Sequence, residues 1–284
     1  DEKPAKKING YFENGNSISI DAYGNYRTEE YGVVYAVYNP EEEIIFSDTL
    51  IKADNYVGIG YTFKDHYILL SVEVSSTGYL YRISSFGEVE REREIHSAYY
   101  SRFFPAENET FWLKTKNKIQ LIDENLEPLS EWIDNDLNLN VYLGDERFLS
   151  LYQSYNDLFY FDYYYNYASV ISVEGDSLVK PFRFADGVQT IYANRLNRDE
   201  FILTYKESRY NMISLIHDKF GNYKNKFRVN TERGKSIENP RVLVDDDKLI
   251  YVWSDIKEEE NGFNVYGKIY NVSEITSVKT AQNG

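Results

Sequence analysis

The residues best suited to chemistry in this chain are its tyrosines. Between Tyr155 and Tyr167 the sequence runs YNDLFYFDYYYNY, which carries eight aromatic side chains. A rigid ring with a hydroxyl at its tip gives a large contact area at low entropic cost and hydrogen-bonds at its edge. Protein and glycan recognition both use that chemistry. Tyr163, Tyr164, Tyr165 and Tyr167 are therefore candidate binding residues. Tyr56, Tyr99, Tyr100, Arg209 and Tyr210 join them from other expected loops. Asp54, Asn55, Asp134, Asn135, Asp136 and the stretches 23–27 and 258–261 would give that surface an acidic rim. The competing structural reading is that these rings pack on one another or on the next strands.

Other constellations assign less. His66, His96 and His217 lie far apart at unrelated strand positions, so spacing does not gather them into a three-histidine metal site. There is no cysteine, which removes disulfides, thiol catalysis and Cys-ligated zinc together. Asp245-Asp246-Asp247 lacks the D-x-D-x-D-G series of a calcium loop and reads as an acidic turn. No G-x-S-x-G elbow, GxxxxGK[ST] loop or GxGxxG turn is present. A Ser-His-Asp triad stays open, since its members need not be close in the chain. With 46 acidic residues, no single pair stands out as glycosidase carboxylates. No catalytic residue, metal ligand or cofactor is assigned. Two sequons, Asn108-Glu109-Thr110 and Asn271-Val272-Ser273, fall in expected turns.

The composition bounds the partners. Apolar residues make up 42% and charged residues 27% of 284, which is globular. Tyr (28) and Phe (16) against one Met favour half-buried pleated surfaces, hence strand. A net charge of −15 repels phosphate backbones and anionic lipid surfaces, so nucleic acid is not an expected partner. No apolar run reaches the length of a membrane span, so direct membrane insertion is not expected. The chain begins DEKPAKK, without Met or a leader, as an exported protein would after processing.

The elements that must position the tyrosines recur at intervals of roughly 40 to 50 residues. Six apolar runs each lead through a turn into a more polar run: 32–51, 78–95, 118–133, 169–184, 211–229 and 264–281. A further hairpin precedes each pair, its second strand a compact apolar run at 17–21, 67–74, 110–114, 147–153, 200–205 and 248–253. FILTY and LIYVW are apolar almost throughout, as strands covered on both faces should be. EVEREREI and NYKNKFRV are charged, as outer-edge strands should be. The expected fold is all-β, a six-bladed β-propeller of four-stranded antiparallel blades. The blades tile as 8–52, 53–97, 98–136, 137–186, 187–234 and 235–284 in a single domain, 1–284.

Phe227-Arg228-Val229-Asn230-Thr231, Asn239-Pro240-Arg241-Val242, Tyr251-Val252-Trp253 and Val265-Tyr266-Gly267 together resemble a repeat of large bacterial secreted and surface proteins. In that repeat an FxVNT strand end precedes an NPxV strand, a turn and a VVW strand. The turn departs from it, with Asp246-Asp247-Lys248 in place of Asp-Gly. The resemblance covers about one blade and implies propeller-like β repeats and an exported setting, not an activity. Six-bladed propellers include sialidases, but their S-x-D-x-G-x-x-W boxes are absent. The expected function is a non-enzymatic module that recognises a protein partner through an aromatic, acidic loop face. The alternative is a carbohydrate-binding or glycoside-cleaving propeller with tyrosine platforms and an Asp/Glu pair in its central funnel.

Overall fold

The computed structural model describes residues 9–25, 30–53, 57–75, 77–96, 101–155, 164–186, 188, 191–208, 210–230, 237–245, 247–257 and 262–276. The chain divides into two compact units, 1–136 and 137–284, each holding three antiparallel sheets. In every sheet, strands adjacent in the chain are adjacent in space.

Unit 1 begins with β1 (Gly10–Tyr11), β2 (Ser17–Asn25), β3 (Glu30–Tyr38) and β4 (Ile44–Ala53). Its second sheet is β5 (Val57–Phe63), β6 (Tyr67–Val74), β7 (Thr77–Ser84) and β8 (Val89–His96). The third is β9 (Arg102–Pro105), β10 (Thr110–Lys114), β11 (Lys118–Asp123) and β12 (Ile133–Asp134). Strand β6 explains the stacking. Ile68, Leu70 and Val72 enter a core with Ile18, Ile20 and Val33 of the first sheet. Tyr67 and Leu69 enter another with Phe111, Leu113 and Ile122 of the third. A strand covered on both faces must be apolar at every position, and this one is nearly so. Gly60 of β5 has no room for a side chain, since a Cβ there would lie 2.3 Å from the Ser101 carbonyl oxygen.

Lys114 ends β10 with its ammonium buried. It donates to the carbonyls of Thr115 (2.5 Å), Lys116 (2.8 Å) and Asn135 (2.8 Å). Burial pushes its pKa down to about 8; Asp136 opposes the fall and Arg102 adds to it.

Unit 2 begins with β13 (Leu139–Gly144), β14 (Arg147–Tyr155), β15 (Tyr164–Ser172) and β16 (Ser177–Asp186). Next come β17 (Ile191–Arg195), β18 (Glu200–Ser208), β19 (Asn211–Asp218) and β20 (Tyr223–Arg228). The last sheet is β21 (Glu238–Asp245), β22 (Lys248–Lys257) and β23 (Gly262–Asn271), followed by α1 (Val272–Thr276). Strand β18 repeats the logic of β6. Phe201 and Leu203 meet Leu149, Ala168 and Val170, whereas Ile202 meets Leu249 and Tyr251 from the other side.

One expectation is corrected in the last sheet. Three of its strands lie among the described residues, and Val272–Thr276, expected to lead into a further strand, forms a helical turn. Asn271 Nδ2 donates to Glu274 Oε1 at 2.8 Å, while Val272 and Ile275 are buried against β20 and β22 side chains. Asn-x-x-Glu ahead of an apolar residue is a helix-start signal that the hairpin reading passed over. On β22, Leu249 and Tyr251 are covered, and Val252 is 39% exposed.

The other five sheets share one hairpin between their third and fourth strands. Its first residue is Asn39, Ser84, Asp123, Ser172 or Asp218. In each, the side-chain oxygen accepts the N–H four residues on, at 2.8 to 3.2 Å. The residue three on has positive φ: Glu42, Gly87, Leu126, Gly175 and Gly221. This is a type I turn closed by a left-handed residue, where glycine carries no steric penalty.

Candidate functional site

Strand β15 carries the described part of the aromatic stretch. Its pleat sends Tyr165 and Tyr167 to one face and Asn166 to the other. Register then decides what they meet. Tyr167 lies opposite Tyr152 of β14 and Arg183 of β16, and Tyr165 lies opposite Asp186. The rings of Tyr152 and Tyr167 stack, with centroids 5.4 Å apart and planes 10° apart. Tyr152 is 41% exposed, and burial together with the neighbouring Tyr167 raises its pKa. The Arg183 guanidinium stands 3.8 Å from the centre of the Tyr165 ring. Asp186 pairs with the same guanidinium, Nε to Oδ1 at 2.5 Å and Nη2 to Oδ2, which raises the arginine's pKa. The result is an aromatic, partly charged surface made from three strands.

Behind it, Asn166 is fully buried. Its Oδ1 accepts from Gln153 Nε2 at 2.9 Å, and its Nδ2 donates to the carbonyls of Val188 (3.1 Å) and Ala185 (3.4 Å). Gln153 Nε2 also donates to the Val188 carbonyl at 3.2 Å. This network ties the end of β16 to the middle of the sheet and so fixes the strand that carries Arg183 and Asp186. A buried amide with every contact made holds one geometry, because alternatives leave polar groups unpaired.

Tyr210 lies in the same unit between β18 and β19, 43% exposed. Its carbonyl is held by Asn230 Nδ2 at 2.6 Å and by Arg228 Nη2 at 3.4 Å. Tyr164 opens β15 opposite Tyr155. Tyr56, Tyr99, Tyr100, Tyr163 and Arg209 lie outside the described residues. Of the candidates, then, Tyr165 and Tyr167 come together, and Tyr210 stands on the next sheet. Sequence reasoning missed Tyr152, Arg183 and Asp186. Their signal is cross-strand register, which strand patterns alone do not set.

Among the described residues, no group of three or more His, Asp or Glu side chains could hold a metal ion. Exposed His66 faces Glu13 at 3.5 Å in unit 1, whereas His217 is buried in unit 2. No described helix is long and apolar enough to cross a membrane.

The fold is similar to that of a solved structure. The β-propeller domain of the Trilobed protease from Pyrococcus furiosus is similar to this chain, with a TM-score of 0.53 at 11% identity. The similarity spans 94% of this chain and 82% of that one. The fold is a β-propeller. Its six antiparallel sheets are the blades. Kluyveromyces lactis Hsv2 is also similar, at 10% identity over 93% of this chain and 98% of that one, with a TM-score of 0.40. A protein of unknown function from Bacteroides caccae follows, at 12% identity over 82% and 81%, with a TM-score of 0.43. No protein-family model and no curated protein matches the sequence.

Proposed function

We propose that this chain is a non-enzymatic, exported propeller module that binds a protein partner through the aromatic face of its fourth blade. The observation that carries the reading is the stack of exposed Tyr152 on half-buried Tyr167, beside the Tyr165–Arg183–Asp186 group. Tyrosine and arginine dominate the energetics of protein interfaces, because each covers much area and still hydrogen-bonds at its edge. Here the side chains are already immobilised by stacking and ion pairing, so binding loses little rotamer entropy. The exported setting rests on the resemblance of the last blade to bacterial secreted repeats.

The test compares capture from native extract by the intact protein and by a Tyr152→Ser/Tyr167→Ser variant. A partner retained by the first and lost by the second, with melting temperatures within a few degrees, supports the reading. Equal capture by both refutes this face. Retention of a glycan array spot in place of a protein would transfer the same face to carbohydrate.

A further inference from the structure

His217 is one of the most enclosed ionisable groups in unit 2, 4% exposed on β19. Its ring is layered between Phe182 of the fourth blade, with centroids 4.8 Å apart, and Phe201 of its own blade, at 5.5 Å. Tyr223 of β20 closes the side edge-on at 5.9 Å. Nδ1 lies 3.1 Å from the Gly221 carbonyl, which accepts only if Nδ1 carries the hydrogen. Nε2 therefore holds a lone pair, and it is buried with no hydrogen-bond partner among the described residues.

The bonded carbonyl is itself part of a contact between blades. Gly221 has φ +80°, and a Cβ there would lie 2.7 Å from Val179 Cγ1 and 3.3 Å from the Phe182 ring. The 218–222 turn is thus pressed against β16, and the imidazole both touches Phe182 and holds the turn in place.

We propose that His217 is an acid-sensitive latch between the fourth and fifth blades, closed when neutral and released when protonated. Protonation would put a second N–H at Nε2, which is buried with no acceptor among the described residues. The stacked rings offer some cation–π compensation, but they cannot replace the lost hydration of an imidazolium. Nearby charges do little to rescue it. The Asp218 carboxylate already accepts from Phe220 N, Asn222 N and Asn222 Nδ2. Glu200 of β18 is paired with Lys224 of β20 at 2.7 Å. Lys219 is held by Asp199 (3.0 Å) and by Asp145 of the fourth blade (3.3 Å). From β16 the ring meets Phe182. Burial accordingly lowers the imidazole's pKa, with the Gly221 bond and Asp218 opposing in part. A depressed folded pKa means that stability is complete above the ordinary histidine pKa, about 6.5, and is lost as pH falls below it.

Release would free β16, the strand that carries Arg183 and Asp186. The latch thus sits behind the aromatic face, yet its test does not depend on what that face binds. Hydrogen exchange of the intact protein, corrected for intrinsic rates, is followed from pH 7.5 to 5.0. Protection of 177–186 and 218–222 is expected to fall up to about tenfold per pH unit below about 6.5. A His217→Phe variant keeps the ring stack and cannot titrate, so its protection should not change with pH. Acid loss of the same size in His217→Phe would overturn the proposal and assign the effect to carboxylates. So would unchanged protection in the wild type. An NMR titration of wild-type His217 decides the matter independently should the variant misfold: a pKa well below 6.5 supports the latch, and one at or above 6.5 refutes it.

Discussion

Replacing Asn166 with aspartate changes one group, NH2 to O⁻, and keeps the shape of the side chain. In the folded protein that group faces the carbonyls of Val188 and Ala185 at 3.1 and 3.4 Å, with no solvent exposure. The substitution removes two donated bonds and puts an anion against two carbonyl dipoles. An uncompensated buried charge costs about 3–5 kcal/mol. Asn166→Leu also removes the bonds but adds no charge, and the Val188 carbonyl keeps its bond from Gln153. Its cost is about 1–3 kcal/mol for the groups left unpaired. The expected order at pH 7 is wild type, then the leucine variant, then the aspartate variant. The sign of the pH effect follows from the charge. Burial would raise the folded pKa of the introduced carboxyl above about 3.9, so stability is lost as pH rises and partly regained toward pH 4. Urea unfolding followed by the fluorescence of the three tryptophans reads both the order and the pH dependence. Aspartate as stable as asparagine at pH 7, or more stable than leucine there, would refute the buried amide network as the support of the aromatic face.

Two further outcomes follow from buried groups. Burial is the first cause that pushes Tyr35, Tyr67 and Tyr205 up to about 12, so the folded state keeps phenolic protons that the unfolded chain releases near 10. Stability is complete below pH 10 and lost between 10 and 12, on the order of 2–3 kcal/mol per tyrosine. Phenolate absorbance should then reach its full amplitude only with unfolding, and ionisation of all 28 tyrosines in a protein that stays folded would contradict it. Lys114→Met takes the shared donor from three carbonyls and should cost about 2–4 kcal/mol. A thermal melt within a degree of wild type would mean that water satisfies those carbonyls.

What the sequence by itself determined is the order of strands and blades. Period-two alternation, polar turns and doubly apolar second strands are set by residues close in the chain. Runs such as YILLSV at 67–72 and VEREREIH at 89–96 therefore already separate inner from outer strands. The shared Asn/Ser/Asp hairpin was also legible, since its positive-φ residue and the N–H that its side-chain oxygen accepts lie three and four positions on. The helical turn at Val272–Thr276 had its signal in Asn271 and Glu274 but competed with a hairpin reading that fitted the other blades. Only the tertiary structure decided which tyrosines form a surface, because Tyr152, Tyr167 and Arg183 meet through register across three strands. The sequence sets His66 just ahead of an apolar run and His217 inside one. Only the tertiary structure puts His66 in solvent beside Glu13 and His217 between rings of two blades. Their chemistry differs because the burial of His217, with no acceptor described at its Nε2, is completed by Phe182, more than thirty positions away on β16.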